Sequence, residues 1–512
     1  MAITTFAAVD VGSYELDMTV YEISPKIGIR KLTRVRHILP LGSDTYTDGK
    51  ISYEMIAQIC KALQGFKEIM KDFGVQAWEA CATSALREAK NSSIVLDQIE
   101  VQTGFKVHVL SNSEQRFLLF KAIAVKDQEQ FNQLIQKGTA IVDVGSGSMQ
   151  LSLYDEGELI TTQNMKLGTL RVLEMLAGVT PDTVDENRLI EELLGNELQT
   201  FKKLFLKDRE IVNLIGVGDV IGQFAYDPST HRPFEKIEAE RFQSIYRRIR
   251  SACPEDLVEK LQIPPAYAAL APASAMAYSQ MLELSGARMM WVPGITLCDG
   301  IAADYAERTK LLRLGHNFDE DILSAARQIS RRYMANRGHA LILEKNVCRI
   351  FDSMKKYHGL GRRERLLLQL SAILHDCGKY ISLGASSECS YNIIMSTEMI
   401  GLSHLEREIV ANVVKYNTEE YQYSQGSLAG LSPEVQNEIM KLTAILRVGN
   451  AMDRSHKQKF KDIRISMKDR QMQIVTSTLE DISLERGLFQ KKADFFEEVY
   501  GVRPVLKQRK GV

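Results

Sequence analysis

The sequence predicts an α/β protein made of two duplicated halves around a cleft, followed by an all-helical segment and a small α/β cap. One glycine-turn signature occurs twice, as Phe6-Ala-Ala-Val-Asp-Val-Gly-Ser13 and as Ala140-Ile-Val-Asp-Val-Gly-Ser-Gly-Ser148. Each copy closes an apolar run ending in Asp and opens onto an alternating strand, Leu16–Tyr21 or Leu151–Tyr154, so each turn reads as a hairpin tip. Beyond about residue 318 the strand pattern stops and helical periodicity runs to about residue 456.

After the first hairpin, Arg30–His37 reads as a further strand and Tyr53–Phe73 as an amphipathic helix, with Ile56, Ile59, Leu63 and Phe66 on one face. A short strand at Trp78–Cys81, a helix around Arg87 and a strand at Lys106–Leu110 complete the first half. The second half runs from the repeated hairpin through a helix at Asn187–Leu204 to a strand at Met289–Val292. A short charged link covers 303–320. Alternation returns in Ile463–Met467 and Gln471–Val475. The expected domains are 1–125, 126–302, 318–458 and 459–512.

A chain of 512 residues is too long for one core. With 45% hydrophobic residues, 25% charged residues and a net charge of −1, nothing in the bulk charge favours nucleic acid or anionic lipid, so a polyanionic ligand must meet a local site. No run approaches the ~18 apolar residues of a membrane span, and the N-terminus lacks a signal pattern. The cytoplasm is the expected location, with no membrane partner, and the seven scattered cysteines are expected as reduced thiols.

Glycine at a turn lets the backbone approach a ligand, and successive N–H groups then form a concavity suited to phosphate. Gly12 and Ser13 in the first turn, and Gly145, Ser146, Gly147 and Ser148 in the second, are the candidate phosphate-binding residues. Asp10 and Asp143, which end the strands, suit a divalent cation or the water beside it. Two facing turns with two carboxylates describe a cleft for a metal-bridged phosphate chain. A single Asp-x-Gly-Ser is common turn chemistry, and the duplication is what points to a site.

Further blocks extend the pattern: Cys81-Ala-Thr-Ser-Ala-Leu-Arg-Glu-Ala-Lys-Asn91, Val109-Leu-Ser-Asn-Ser-Glu114, Lys166-Leu-Gly-Thr-Leu-Arg171 and Leu214-Ile-Gly-Val-Gly218. Together they resemble the exopolyphosphatase and guanosine pentaphosphate phosphohydrolase (Ppx/GppA) family over roughly residues 4 to 302. The resemblance implies an actin-like ATPase (ribonuclease H-like) fold and hydrolysis of a terminal phosphate of inorganic polyphosphate or a guanosine polyphosphate with magnesium. It also implies a homodimer, with Glu114 as the water-activating base and Arg87 as a phosphate ligand. Without the resemblance, Glu114 reads as a first-turn glutamate with Ser111 as N-cap, and Arg87 as a solvated helical arginine.

The chain departs from the family pattern at Tyr14, Ser146, Met149, Gln150, Asp219 and Cys298. Gln150 stands at a catalytic position that the family fills with a carboxylate; an amide binds metal less tightly and cannot take a proton. Asp219 adds negative charge where the family has glycine, and Cys298 replaces an expected arginine.

In the helical segment, His339, His375-Asp376 and Asp453 are ordered as in an HD domain. That resemblance implies one divalent transition metal held by these four residues. Ser387, Cys389 and Asn417 stand where a second metal would need histidines. Two alternatives to an exopolyphosphatase-type hydrolase stay open: a non-catalytic polyphosphate or guanosine polyphosphate sensor, and an HD-type metal phosphohydrolase.

Overall fold

The apolar runs before the two glycine turns become central strands of two sheets with the same strand order. In the computed structural model, which describes residues 3–177, 185–206, 209–227, 232–234 and 236–509, the first sheet contains β1 (Thr4–Val11), β2 (Glu15–Ser24), β3 (Gly28–Ile38), β4 (Ala77–Ala82) and β5 (Val107–Val109), in the order β3-β2-β1-β4-β5. In the second sheet, β6 (Thr139–Val144), β7 (Met149–Asp155), β8 (Glu158–Met165) and β9 (Asn213–Val217) repeat that order as β8-β7-β6-β9, continued by Met289–Trp291 and Lys236–Glu238. In both sheets the hairpin strands are antiparallel and the next two pairs parallel. The duplication read from the turns therefore extends to sheet topology.

Each sheet buries its own apolar set. In the first half, Val9, Leu16 and Val20 pack against Ile56, Ile59, Leu63 and Phe66 of the helix Tyr53–Asp72, the face expected from the spacing. In the second, Val142, Leu151 and Leu153 join Leu194 and Leu198 of the helix Glu186–Phe201. That helix widens into a π-helical turn, Lys202–Leu206, at its end.

One stretch departs from expectation. Residues 303–308, expected as link, complete the helix Leu297–Arg308, whose Leu297, Cys298, Ile301, Ala302 and Ala306 pack on Phe6, Ala8, Tyr21 and Ile23 of the first sheet. The ring of Tyr305 stacks on Phe6 at 4.1 Å. The helix thus closes the chain back onto the first half, because its Ile and Ala spacing forms an apolar stripe that the charged residues between conceal in the sequence.

The chain divides into two compact units between Asn317 and Phe318. The second unit is helical from Phe318 to Ala451, with principal helices Phe318–Arg332, Arg337–Ser353, Arg362–Leu374, His404–Thr418 and Pro433–Ala451. It ends in a three-stranded sheet in which Ile463–Lys468 pairs antiparallel with Gln471–Thr476, and the helix Ser483–Tyr500 crosses to a parallel strand, Arg503–Gln508. Among the described residues no helix is long and apolar enough to cross a membrane.

Candidate functional site

The two glycine turns have matching geometry. Gly12 N–H donates to the Glu15 carbonyl at 3.0 Å, and Gly145 N–H donates to the Ser148 carbonyl at 3.0 Å. A side chain at Gly12 would bring its Cβ within 2.7 Å of the Glu15 carbonyl oxygen, so the turn needs glycine. The backbone N–H groups of Ser13 and Tyr14 in one turn, and of Ser146 and Gly147 in the other, have no hydrogen-bond acceptor among the described residues. These donors are what an anion would meet.

The turns lie against each other. Ser13 Oγ accepts from the Ala85 N–H at 3.1 Å and from the Tyr46 hydroxyl at 2.8 Å. A Cβ at Gly147 would lie 3.0 Å from Ser13 Oγ and 2.6 Å from Ser84 Cβ. Arg171 secures the second tip: its Nε donates to the Gly147 carbonyl at 2.7 Å, it pairs with Glu88 at 2.7 Å, and its guanidinium lies 3.9 Å from the Tyr46 ring centroid. Gly168 packs directly on the Gly147–Ser148 peptide, and Gly218, at φ 143°, on the Val144 carbonyl. The Lys166–Arg171 and Leu214–Gly218 blocks therefore shape the second turn by close backbone approach.

Between the turns lies a cavity of about 60 Å³, lined by Asp10, Glu15, Asp143, Asp219 and Gln115 as well as by the turns themselves. The Tyr14 hydroxyl donates to the Ala266 carbonyl and the Tyr267 hydroxyl to Glu15, so both tyrosines tie the first turn to the second half.

The cleft concentrates negative charge. Burial pushes Asp143 up to about 7, with Asp219 adding to the shift and Arg116 opposing it. Glu15 is likewise pushed up to about 7, first by burial and then by Asp219, while the Tyr267 hydroxyl favours its charged form. Asp10 is raised well above the usual carboxylate range by burial and by Asp219, Asp17 and Glu15. Asp10 Oδ1 is buried without a hydrogen-bond partner. Hard oxygen donors with an unpartnered carboxylate oxygen fit a magnesium ion.

Several expected site residues are elsewhere. Glu114 is absent from the cavity lining. Its carboxylate closes a capping box, accepting from Ser111 N–H at 2.9 Å, and lies 3.3 Å from His108 Nε2. The cap and His108 together hold its carboxyl below the usual range against the opposing effect of burial. The next residue, Gln115, faces the cleft. Because neighbouring helical positions point about 100° apart, capping by one and cleft lining by the other are alternatives.

Arg87 donates to the Leu110 carbonyl at 2.6 Å and to Ser84 Oγ at 2.9 Å; it braces the loop and does not line the cavity. Gln150 lies in the buried β7 strand, 2% exposed, directly opposite Asp143 and outside the residues that line the cavity. Cys298 is fully buried with its Sγ near the Ala8 and Asp17 carbonyls, so an arginine at that position would not reach the cavity without rebuilding the core. Glu15 and Gln115 were not singled out in the sequence. Each directly follows a motif residue, which is the signal that could have found them.

In the helical unit His339, His375 and Asp376 converge, with potential ligand atoms within 4.8 Å of one another. His375 Nδ1 donates to the Ala372 carbonyl at 2.8 Å, leaving a lone pair on Nε2, which is buried, has no hydrogen-bond partner and lies 3.3 Å from Asp376 Oδ1. Burial pushes His375 down to about 4, so a proton does not fill that gap near neutrality. These donors fit one divalent transition metal. Asp453, expected as a fourth ligand, is outside this group: its Oδ2 takes the His339 Nδ1 bond at 2.7 Å, orienting the imidazole. The ring of His456, also missed in the sequence, stacks on His339 at 4.1 Å.

Comparison with known proteins places these two sites in context. A model of the Ppx/GppA phosphatase family matches residues 19–301, and one of Ppx/GppA phosphatase domain III matches residues 323–492. The chain is 19% identical over 456 residues to guanosine-5'-triphosphate,3'-diphosphate pyrophosphatase of Aeromonas hydrophila, covering 86% of each protein. It is 18% identical over 456 residues, again 86% of each, to the Aeromonas salmonicida protein of that name. Among solved structures, the Aquifex aeolicus Ppx/GppA family member aligns at TM-score 0.50 and 19% identity, over 62% of this chain and 100% of that one. An exopolyphosphatase from Cytophaga hutchinsonii aligns at 0.52 and 16%, over 61% and 100%. These structural likenesses establish the shared fold.

Proposed function

The chain belongs to the Ppx/GppA phosphatase family, a family of phosphoanhydride hydrolases, and on that premise we propose that its cleft hydrolyses the terminal phosphoanhydride of inorganic polyphosphate or of a guanosine polyphosphate. The observation that carries this reading is the pair of matched turns, whose four unengaged N–H groups face one cavity with Asp10, Asp143 and Asp219.

The Ser13, Tyr14, Ser146 and Gly147 amides hold phosphoryl oxygens and oppose the charge that develops on them. Asp10, Glu15 and Asp219 would hold magnesium, which supplies charge neutralisation to the phosphate chain. Asp143, with its carboxyl near neutrality, accepts the proton of the attacking water. Gln115 orients that water without taking its proton. Arg171 keeps the second turn in register with the first. In the helical unit, His339, His375 and Asp376 would hold one transition metal, with Asp453 behind His339; the HD resemblance supports that reading.

A second reading, a site that binds polyphosphate or guanosine polyphosphate without turnover, is favoured by one observation: Gln115 puts an amide at the cleft wall and Gln150 another directly opposite Asp143. A phosphate-release assay on polyphosphate and on guanosine pentaphosphate, with and without magnesium, separates the two. Magnesium-dependent release establishes the first reading. Binding of both ligands with no release establishes the second.

A further inference from the structure

A second cavity, of about 290 Å³, opens beside the helix Ala239–Ser251. The spacing of that helix gives it two faces. Phe242, Tyr246 and Ile249 are buried, whereas Arg241, Ser244, Ile245 and Arg248, at i, i+3, i+4 and i+7, form a stripe that lines the cavity. The floor is apolar, with buried Phe224, Phe234 and Ile263. The Arg241 guanidinium lies over the Phe234 ring at 4.2 Å from its centroid.

The charges here are unbalanced. Among the described residues no acidic side chain lines the cavity, and neither Arg241 nor Arg248 has a carboxylate within ion-pair distance. The neighbouring Arg250 is paired with Glu191, and Lys260 with Asp256. Two guanidiniums without a carboxylate partner among the described residues, roughly 10 Å apart along the helix, thus flank an aromatic floor.

A flat ring stacks on aromatic and guanidinium planes, and phosphate oxygens accept two parallel bonds from a guanidinium. A bare phosphate chain would gain nothing from the apolar floor. Two segments lead from this cavity to the phosphate cleft. Val220 lines the cleft and Phe224 the cavity; Tyr267 lines the cleft and Ile263 the cavity. Each step is four residues long.

We propose that this cavity recognises the base and inner phosphates of a nucleoside polyphosphate whose terminal phosphoanhydride enters the cleft. The proposal rests on the phosphate-binding reading of the cleft and adds to it a preference for nucleotide over inorganic chains.

Calorimetric titration of the full-length chain, with guanosine tetraphosphate and with inorganic tripolyphosphate in the presence of magnesium, tests it. The double variant Arg241→Ala/Arg248→Ala, at two exposed positions, is expected to lose about tenfold or more in affinity for guanosine tetraphosphate, with tripolyphosphate affinity unchanged. Ser244→Trp, which fills the cavity from an exposed position, should give the same selective loss. Guanosine tetraphosphate affinity unchanged in both variants, or an equal loss for the two ligands, overturns the proposal. So does a change of oligomeric state in Ser244→Trp with nucleotide affinity intact, which would make the cavity a contact between copies. A wild-type chain that does not bind tripolyphosphate refutes the cleft reading, and the nucleotide titration then still decides the cavity.

Discussion

Asp143 stands directly opposite Gln150 across the β6–β7 hairpin, as Asp10 stands opposite Asp17 across β1–β2. The duplicated frame therefore pairs acid with acid in the first half and acid with amide in the second. Asp17 is matched by the Arg34 guanidinium at 2.6 Å. Gln150 has neither amide atom hydrogen-bonded among the described residues, an arrangement that costs about 1–3 kcal/mol for each buried orphan.

Gln150→Glu places a second desolvated carboxyl beside Asp143. Without divalent metal its melting temperature is expected to fall, because two like charges share one dry pocket. With magnesium the melting temperature should recover and phosphate release should rise. Calorimetry and phosphate release, each with and without chelator, check this; a variant indifferent to magnesium would show that the amide has been built into the site.

Glu114→Gln and Gln115→Glu should behave oppositely. Glutamine at position 114 can still reach the Ser111 N–H from its N3 place in the capping box, so turnover and stability should change little. A carboxylate at position 115 faces the cleft as a second proton acceptor beside Asp143, so phosphate release should rise and should persist when Asp143 is replaced by Asn. Loss of release in Glu114→Gln with the helix intact would return the base to Glu114.

Asp143→Asn should flatten the pH dependence of stability in metal-free buffer. The Asp143 carboxyl is raised to about 7 in the folded chain, so its contribution is full below the unfolded value near 4 and is lost progressively as pH rises to about 7. The variant should therefore match wild type near pH 4 and be the more stable above pH 7, by at most roughly 4 kcal/mol. Chelator-treated protein unfolded in urea across that window measures it. Magnesium held by the neighbouring Asp10, Glu15 and Asp219 should shrink the difference by offsetting the negative charge that raises the Asp143 carboxyl.

Elemental analysis of the purified chain should find at most one transition metal, lost in His375→Ala/Asp376→Ala. Asp453→Asn should keep the metal with reduced affinity, ~10–100-fold, since it orients His339. Complete loss of metal in Asp453→Asn would make that residue a ligand. Phosphate release by the double variant should survive, because the cleft lies wholly within the first unit.

The fold was legible where chemistry repeats over short range. Asp10-Val-Gly-Ser13 and Asp143-Val-Gly-Ser146 announce hairpin tips because only glycine accepts the close carbonyl approach seen at Gly12, and the alternation of Leu16–Tyr21 and Leu151–Tyr154 shows which face is buried. The Leu297–Arg308 helix was misjudged in part because its apolar stripe is interleaved with Asp299, Asp304 and Glu307, of which Asp304 and Glu307 pair with Lys121.

The sequence by itself determined the duplication, the two turns, the acidic residue before each and the histidine–aspartate order of the helical segment, since these depend on residue type and spacing along one strand or helix. Only the tertiary structure decided which side chains meet. It turned Gln115 rather than Glu114 toward the cleft, gathered Glu15 and Asp219 with Asp10 and Asp143, kept Arg87 and Cys298 out of the cleft lining, and set Asp453 behind His339. The reason is geometric: a rotation of about 100° between neighbouring helical residues, or the packing of elements more than a hundred residues apart, moves a functional group from one environment to another with no change in local pattern.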